Sequence, residues 1–483
     1  MRGWKRRVRK IIGCGHTALR QAEVWLYNMQ WINESALIGR VGCGQRARYL
    51  GKSIDYISHF ALLLGVILCA SICYSAEVLD TRFSGFVELD HISYAESPDK
   101  SKINGRNQVI VQPEVEARLE SSRFFASTEF LADESDSARD RSYVNEAYMD
   151  FMLRDMDVRI GKQIIAWGKA DAYNPTDNVT PIDYSDLVDT DDEEKGIVAL
   201  RVNYYIGDLL IQGIVQPTFT PNAFPDASSR WYAAPSEQID DPNGSGIVSE
   251  ATYEVLPESK PDESKVGKAA IKFAWSGLGV DLSISYLRGW SHIPFVAESV
   301  TAVSPGLVSV GLRPVYFKQD IFGADFSTAI GKYGLRGEIA HFVPDEASVD
   351  EVSLEDSYTQ YSFGIDRTFS NVLDENNLYV LLEVIGDTAR ERESIIGDYL
   401  RHPFRAAAAV KVEYSVGYTS TWSVEGIYDH HGDGYFLKPK VSYALNDAIR
   451  LEGWFEIFDG EKDSLFGVFK DNDRIQLRTK YRF

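Results

Sequence analysis

Cysteine is almost missing from this chain. Of 483 residues only Cys14, Cys43, Cys69 and Cys73 are cysteine, so everything after residue 73 lacks both a disulfide framework and a thiolate metal site. Long apolar runs are also scarce: with 44% hydrophobic residues and a mean hydropathy of −0.22, a polytopic helical membrane protein is excluded. Positive charge is in deficit, 50 Lys and Arg against 71 Asp and Glu for a net −21, and such a chain repels phosphates, which excludes a nucleic-acid partner. The 17 prolines and 25% charged residues are close to ordinary usage and exclude a collagen-like or wholly disordered chain. Rings are what the chain has in plenty, at 12% Phe, Trp and Tyr.

The charge is unevenly spread. Residues 1–76 hold 11 Lys/Arg and 3 Asp/Glu, which leaves 39 bases against 68 acids, or −29, from Glu77 onward. Between these parts, Phe60 to Ile72 (FALLLGVILCASI) is an uncharged run behind Arg46, Arg48 and Lys52. It has the layout of a secretory signal and is short for a membrane anchor. The division expected is an N-terminal extension at 1–56, a signal core and cleavage region at 57–75, and an exported part at 76–483, with cleavage after Ser75 favoured over Ala76. Two G-x-G-x-x-A matches, Gly13 to Ala18 and Gly42 to Ala47, lie ahead of the signal core, outside any strand-turn-helix unit that would give them meaning.

From Thr81 the pattern has period two. In Arg474 to Phe483, Ile475, Leu477, Thr479, Tyr481 and Phe483 share one face, and Arg474, Gln476, Arg478, Lys480 and Arg482 the other. Runs of this kind occur near 82–94, 107–119, 122–132, 142–153, 156–166, 196–205, 208–219, 266–275 and 279–290. Nine more lie near 315–330, 333–343, 357–369, 376–386, 404–415, 418–429, 433–445, 448–459 and 473–483. Tight links such as Ser121, Arg154-Asp155, Ile206-Gly207 and Lys332 alternate with long polar ones at 167–195, 220–265, 291–314 and 387–403. An even strand count with short turns at one rim and long loops at the other predicts an all-β fold, a transmembrane antiparallel β-barrel of about 18 strands with short periplasmic turns and long extracellular loops. Lipid offers an open sheet edge no partner, so the sheet must close. Trp167, Trp275, Tyr286, Trp290, Trp422, Tyr443 and Tyr481 fall near strand ends, as an aromatic girdle would. Tyr481 and the terminal Phe483 resemble the C-terminal signal by which outer-membrane barrels reach their assembly machinery.

If the apolar faces meet lipid, parity assigns the lumen. Its acids then include Glu88, Asp90, Glu114, Glu116, Glu129, Glu146, Asp150, Glu338, Glu383, Glu452 and Glu456. Its bases include Arg118, Arg159, Arg201, Lys272, Arg336, Lys411, Lys438, Lys440, Arg450, Arg474, Arg478 and Lys480. Acids gather in early strands and bases in late ones, which predicts a transverse field where first and last strands meet; the other reading is that these charges pair and fill the interior. The loop at 167–195 is the expected constriction, with Trp167, Lys169, Asp171, Asp177, Asp183 and Asp186 as its candidate residues. A solvated acidic surface or a cation site associated with lipopolysaccharide are the alternatives, and an EF-hand is excluded because Glu194 and Leu200 stand where its Gly and Glu are required.

The segment Gly161-Lys162-Gln163 to Trp167-Gly168, followed by Asn174-Pro175-Thr176-Asp177, resembles the Gly-Arg/Lys-Gln…Trp-Gly…Asn-Pro-x-Asp signature of a family of uncharacterised large proteobacterial outer-membrane porin-like barrels. More distantly it is similar to alginate-export-type porins. The resemblance covers about thirty residues and implies a channel-like barrel without naming a cargo. A polyanion exporter should have a basic passage, and a mixed lumen with an acidic loop argues against alginate. No G-x-S-x-G or HExxH motif is present, and Asp429 to Asp433 reads as a hairpin turn, so neither an enzyme nor a cofactor is expected. The expected protein is an outer-membrane porin of a Gram-negative cell, exported through a cleaved signal. It would pass small hydrophilic solutes and meet lipid, lipopolysaccharide and the assembly machinery. The alternative is a non-conducting scaffold barrel that binds partners through its long loops, 220–265 above all.

Overall fold

Alternating side chains and β-branched or aromatic residues make strands where one face is buried and the other meets apolar surroundings. The computed structural model describes residues 80–95, 105–135, 139–186, 194–225, 229–233, 238–240, 248–259, 261, 267–349, 353–373, 375–390, 398–461 and 464–483. The extension at 1–56, the signal region at 57–75 and the Ser75 cleavage site lie outside these residues.

The strands in chain order are β1 (Asp80–Tyr94), β2 (Gly105–Arg118), β3 (Ser122–Asp133), β4 (Arg141–Met152), β5 (Met156–Gln163), β6 (Ile197–Ile206), β7 (Leu209–Gln216), β8 (Gln238–Asp240), β9 (Val248–Val255), β10 (Lys268–Gly277) and β11 (Val280–Trp290). They continue as β12 (Phe295–Ser304), β13 (Leu307–Val315), β14 (Lys318–Ile330), β15 (Tyr333–Asp345), β16 (Tyr358–Val372), β17 (Asn376–Asp387), β18 (Ala406–Val416), β19 (Ser420–Asp429), β20 (Gly434–Ala444), β21 (Ile449–Asp459) and β22 (Arg474–Arg482). Eighteen of them, all but β8, β9, β12 and β13, form one sheet in which successive strands pair antiparallel and β22 returns to β1. The fold is therefore a closed 18-stranded transmembrane barrel, with only short helical turns such as Asp398–Arg401 and Leu465–Val468 among the described residues.

Closure is made in register. Lys480 stands opposite Glu88, Arg478 opposite Asp90 and Gln476 opposite Ile92. At the tight-turn rim Gly85 and Phe483 exchange both backbone hydrogen bonds at 3.1 Å, so Phe483 is part of the seam. The seam is also held by charge, with Arg478 Nε 3.0 Å from Glu88 and 2.9 Å from Asp90, and Lys480 Nζ 3.1 Å from Glu88. The acid-rich and base-rich walls thus meet in ion pairs along this seam.

The outer face is apolar around the ring: Leu282, Ile284, Phe322, Ile339, Phe363, Leu382, Val384, Phe455 and Leu477 are all exposed. No helix among the described residues is long and apolar enough to cross a membrane; the strands do it instead. Exposed rings flank this belt, with Tyr204, Tyr333, Trp422, Tyr443 and Tyr481 towards the tight turns and Tyr286, Tyr428 and Tyr435 towards the loops. Trp167 and Trp290 correct the expected girdle, since both are buried. Trp167 lies in a loop inside the barrel, and its Nε1 donates to Gln212 at 2.8 Å.

A second correction concerns the loops at 220–265 and 291–314. Both read as long polar connections between strands, yet β12 and β13 form a hairpin in the latter, β13 pairs parallel with β9, and β8 completes a separate four-stranded sheet. Lipid contact of the outer face predicts that Ile284→Arg, at mid-strand and 61% exposed, lowers stability by about 2–4 kcal/mol in urea titrations of the bilayer-inserted barrel. An unchanged midpoint would show that this face does not meet hydrocarbon.

Candidate functional site

Inward parity brings the expected lumenal charges together, mostly as pairs. Asp150 lies 2.8 Å from Arg123 and 2.6 Å from Arg159, with Arg201 opposite Arg159 on the next strand. Glu116 meets Arg118 at 2.6 Å, Ser84 donates to Glu114, and Glu146 accepts the Ile164 N–H at 2.9 Å. Lys272 lies 3.3 Å from Asp325, Lys411 2.9 Å from Glu425, and Lys440 3.2 Å from Glu452. Lys438 is 3.7 Å from Glu456, whose other oxygen takes Arg474; Arg450 stands opposite Ala444 at the tight-turn end of β21.

The loop between β5 and β6 enters this interior and is built around two carboxylates of the far wall. Glu338 on β15 accepts the backbone N–H groups of Lys169, of Ala170 at 2.7 Å and of Thr176 at 3.3 Å, and the Thr176 hydroxyl at 2.7 Å. Glu383 on β17, seven strands beyond β6 around the ring, accepts the N–H groups of Asp171, Ala172 and Tyr173 at 3.1–3.2 Å. Both carboxylates are almost fully buried, and buried acceptors facing several N–H donors make strong, charge-assisted contacts. Tyr173 adds a hydroxyl bond to Gln360 at 2.8 Å, and Lys272 lies over the Trp167 ring.

The Gly161-to-Asp177 segment supplies this latch. Gly168 has φ +108°, and a Cβ there would sit 2.6 Å from a Glu338 oxygen, so only glycine lets the backbone reach the carboxylate. Gly161, at φ +132°, likewise leaves room for the Ala147 carbonyl on β4. Asp177 accepts the Trp167 N–H at 3.1 Å, and Thr180 both accepts from and donates to Ile165, so the Asn-Pro-x-Asp turn folds back on the Trp-Gly strand end.

The loop's other acids are anchors. Asp183 lies 3.0 Å from Arg141 and from Lys195, and Asp186 2.6 Å from Arg106 and 2.8 Å from Arg474. Burial alone would raise both, but these cations hold Asp183 and Asp186 below the ordinary aspartate value. Asp177 is instead pushed well up, mainly by burial, and Glu194, which shares a side-chain hydrogen bond with it, is also raised by burial. His292 is held down at about 3 by burial and by the neighbouring Lys268, and its Nδ1 faces the Thr220 carbonyl at 2.7 Å. Of the expected constriction residues, Asp171 is the acid most exposed to the lumen; it pairs with Arg336, which also holds Asp366. The roles of Glu383, Gln360 and Lys268, whose Nζ donates to the Val179 carbonyl at 3.2 Å, as loop anchors do not follow from the sequence, because parity shows which way a side chain points and not which loop arrives there.

Beside the loop lies a cavity of about 740 Å³ lined in part by Asp171, Tyr173, Glu425, Phe436, Lys438 and Phe466. No cluster of side chains that could hold a metal ion occurs among the described residues.

The latch predicts that Gly168→Ala or Glu338→Ala exposes Lys169 and Lys195 to trypsin in a barrel that still migrates as folded, whereas the wild-type loop resists cleavage. Equal resistance would show that the carboxylate does not hold the loop. Protection has a pH window with two edges. The share from Asp183 and Asp186, whose values are depressed, is complete above the ordinary aspartate value of about 3.8 and lost as pH falls through the lower ones. The share from Asp177 and Glu194, whose values are raised, is complete below their ordinary values and lost as pH rises through the raised ones.

Among solved structures, the chain is similar to a loop L8 deletion mutant of OmpT, an outer membrane protein of Vibrio cholerae, at 12% identity and TM-score 0.41, covering 84% of this chain and 99% of that one. It is also similar to a triple mutant of the Rhodopseudomonas blastica porin, at 10% identity and TM-score 0.41, covering 84% of this chain and all of that one. No curated protein matches the chain. A family model matches residues 120–385, more than half of the chain and inclusive of the Gly161-to-Asp177 segment, and the chain belongs to that family, DUF1302, described as proteins of unknown function.

Proposed function

We propose that the protein is an outer-membrane channel through which small hydrophilic solutes pass down their gradient, without a cofactor and without catalysis. The observation that carries this reading is the loop segment 164–186 after β5, folded into a closed barrel and pinned by Glu338 and Glu383 of the facing wall. A barrel of 16 to 18 strands is wide enough for an aqueous lumen, and an inward loop narrows it without needing a separate plug domain. The passage runs between this loop and the wall of β18–β21, where Asp171, Lys411, Glu425 and Lys438 meet the solute. Export through a cleaved signal, insertion by the assembly machinery through Tyr481 and Phe483, and lipopolysaccharide around the outer rim complete the proposal. The paired lumenal charges also suit a scaffold barrel that binds partners by its loops, and conductance separates the two.

The channel reading predicts stable single-channel steps in planar bilayers. Asp171→Asn should shift the reversal potential under a salt gradient away from cation preference, while Glu338→Ala should raise the unit conductance by freeing the loop. A folded barrel that carries no current would overturn the channel and leave the scaffold.

A further inference from the structure

The lumenal wall facing the loop is apolar over part of its height, which diffusion of polar solutes alone does not require. Six rings, from strands β20 and β21 and from four loops, follow one another in contact. Tyr173 of the inward loop meets Phe404 edge-on at 5.8 Å between centroids, Phe404 meets Phe466 at 6.0 Å, and Phe466 stacks with Phe436 at 6.1 Å. The series runs on from Phe436 to Phe458 at 5.1 Å and from Phe458 to Trp231 at 5.7 Å. Phe436 and Phe458 lie on the inward parity of β20 and β21, opposite one another in register.

These rings do more than pack the loops together, because they border the 740 Å³ cavity. That volume falls in the range of about 300–1,000 Å³ typical of small-ligand pockets, which are mostly apolar with a few placed polar groups. The polar groups here are unequal. Glu425 is held by Lys411 at 2.9 Å. Lys438 has its carboxylate neighbour, Glu456, at 3.7 Å, and Glu456 already accepts from Arg474 and from Trp454 Nε1. The ammonium of Lys438 therefore has N–H bonds to offer to a solute beside an aromatic wall.

We propose that this cavity is a solute subsite for small organic acids with an aromatic or alicyclic body, the ring lying against Phe436 and Phe466 and the carboxylate meeting Lys438. The proposal rests on the channel reading for its place on a transport route, and on the cavity alone for binding.

The test uses the full chain folded in detergent, with calorimetric titration of cyclohexanecarboxylate, cyclohexanol and acetate, and the same additions to single channels in a bilayer. Saturable binding of cyclohexanecarboxylate, with acetate giving none, is the expected result. Phe436→Ser should weaken binding by about tenfold, and Phe436→Leu, which keeps apolar volume should the first variant fail to fold, by less. Lys438→Gln should weaken the carboxylate and leave cyclohexanol unchanged. A barrel that conducts ions yet binds cyclohexanecarboxylate no better than acetate overturns the subsite and leaves the channel. Saturable, Phe436-dependent binding to a barrel that carries no current keeps the subsite and removes the channel. Equal losses for the acid and the alcohol in Lys438→Gln would overturn the assignment of the carboxylate contact.

Discussion

A strand in hydrocarbon has no water to satisfy its edge, and everything in this protein depends on β22 meeting β1. Each unpaired N–H or C=O in the bilayer costs several kcal/mol, so 18 strands of modest individual stability become obligatory partners once the last finds the first. Gly85 and Phe483 carry the pairing to the end of the seam, and Arg478, held between Glu88 and Asp90, fixes the register. A one-residue slip there would move Arg478 and Lys480 to the lipid face and Leu477 into the lumen.

Closure then sets the rules inside. A lumen lined by so many ionisable groups is costly unless each finds a partner, and most acids and bases do so across neighbouring strands. Glu338 and Glu383 differ from the rest. They take as partners the backbone of a loop that arrives from five and seven strands away, and so convert a pair of buried charges into the attachment point of the loop that narrows the barrel. Gly168 is where local backbone geometry and long-range electrostatics meet, since the loop reaches Glu338 only because that position has no side chain.

The barrel itself was legible in the sequence, because strand periodicity is local: each of the 18 alternating runs lies within a few residues of a barrel strand. What failed to show depends on distant parts of the chain. Lys169 and Glu338 are 169 residues apart, and nothing near either announces the other. The sheet of β8, β9, β12 and β13 was missed for the same reason, as its parallel pairing joins two loops separated by barrel strands. Trp167 and Trp290 looked like girdle residues from their position at strand ends, but an inward loop takes Trp167 out of reach of lipid. The inward rings of Phe436 and Phe458 could have been read from parity; Phe404 and Phe466, in loops, could not.

The central claim is that the loop crosses the lumen to the wall of β15–β17. The chain from Glu77 onward contains no cysteine, so Tyr173→Cys and Gln360→Cys, at positions whose native side chains touch at 2.8 Å, should be joined by a short bis-maleimide in the folded, membrane-inserted barrel, giving one cross-linked species on a gel. If each cysteine reacts singly but the two are never bridged, the loop does not reach that wall, and the account of a constricted channel is contradicted.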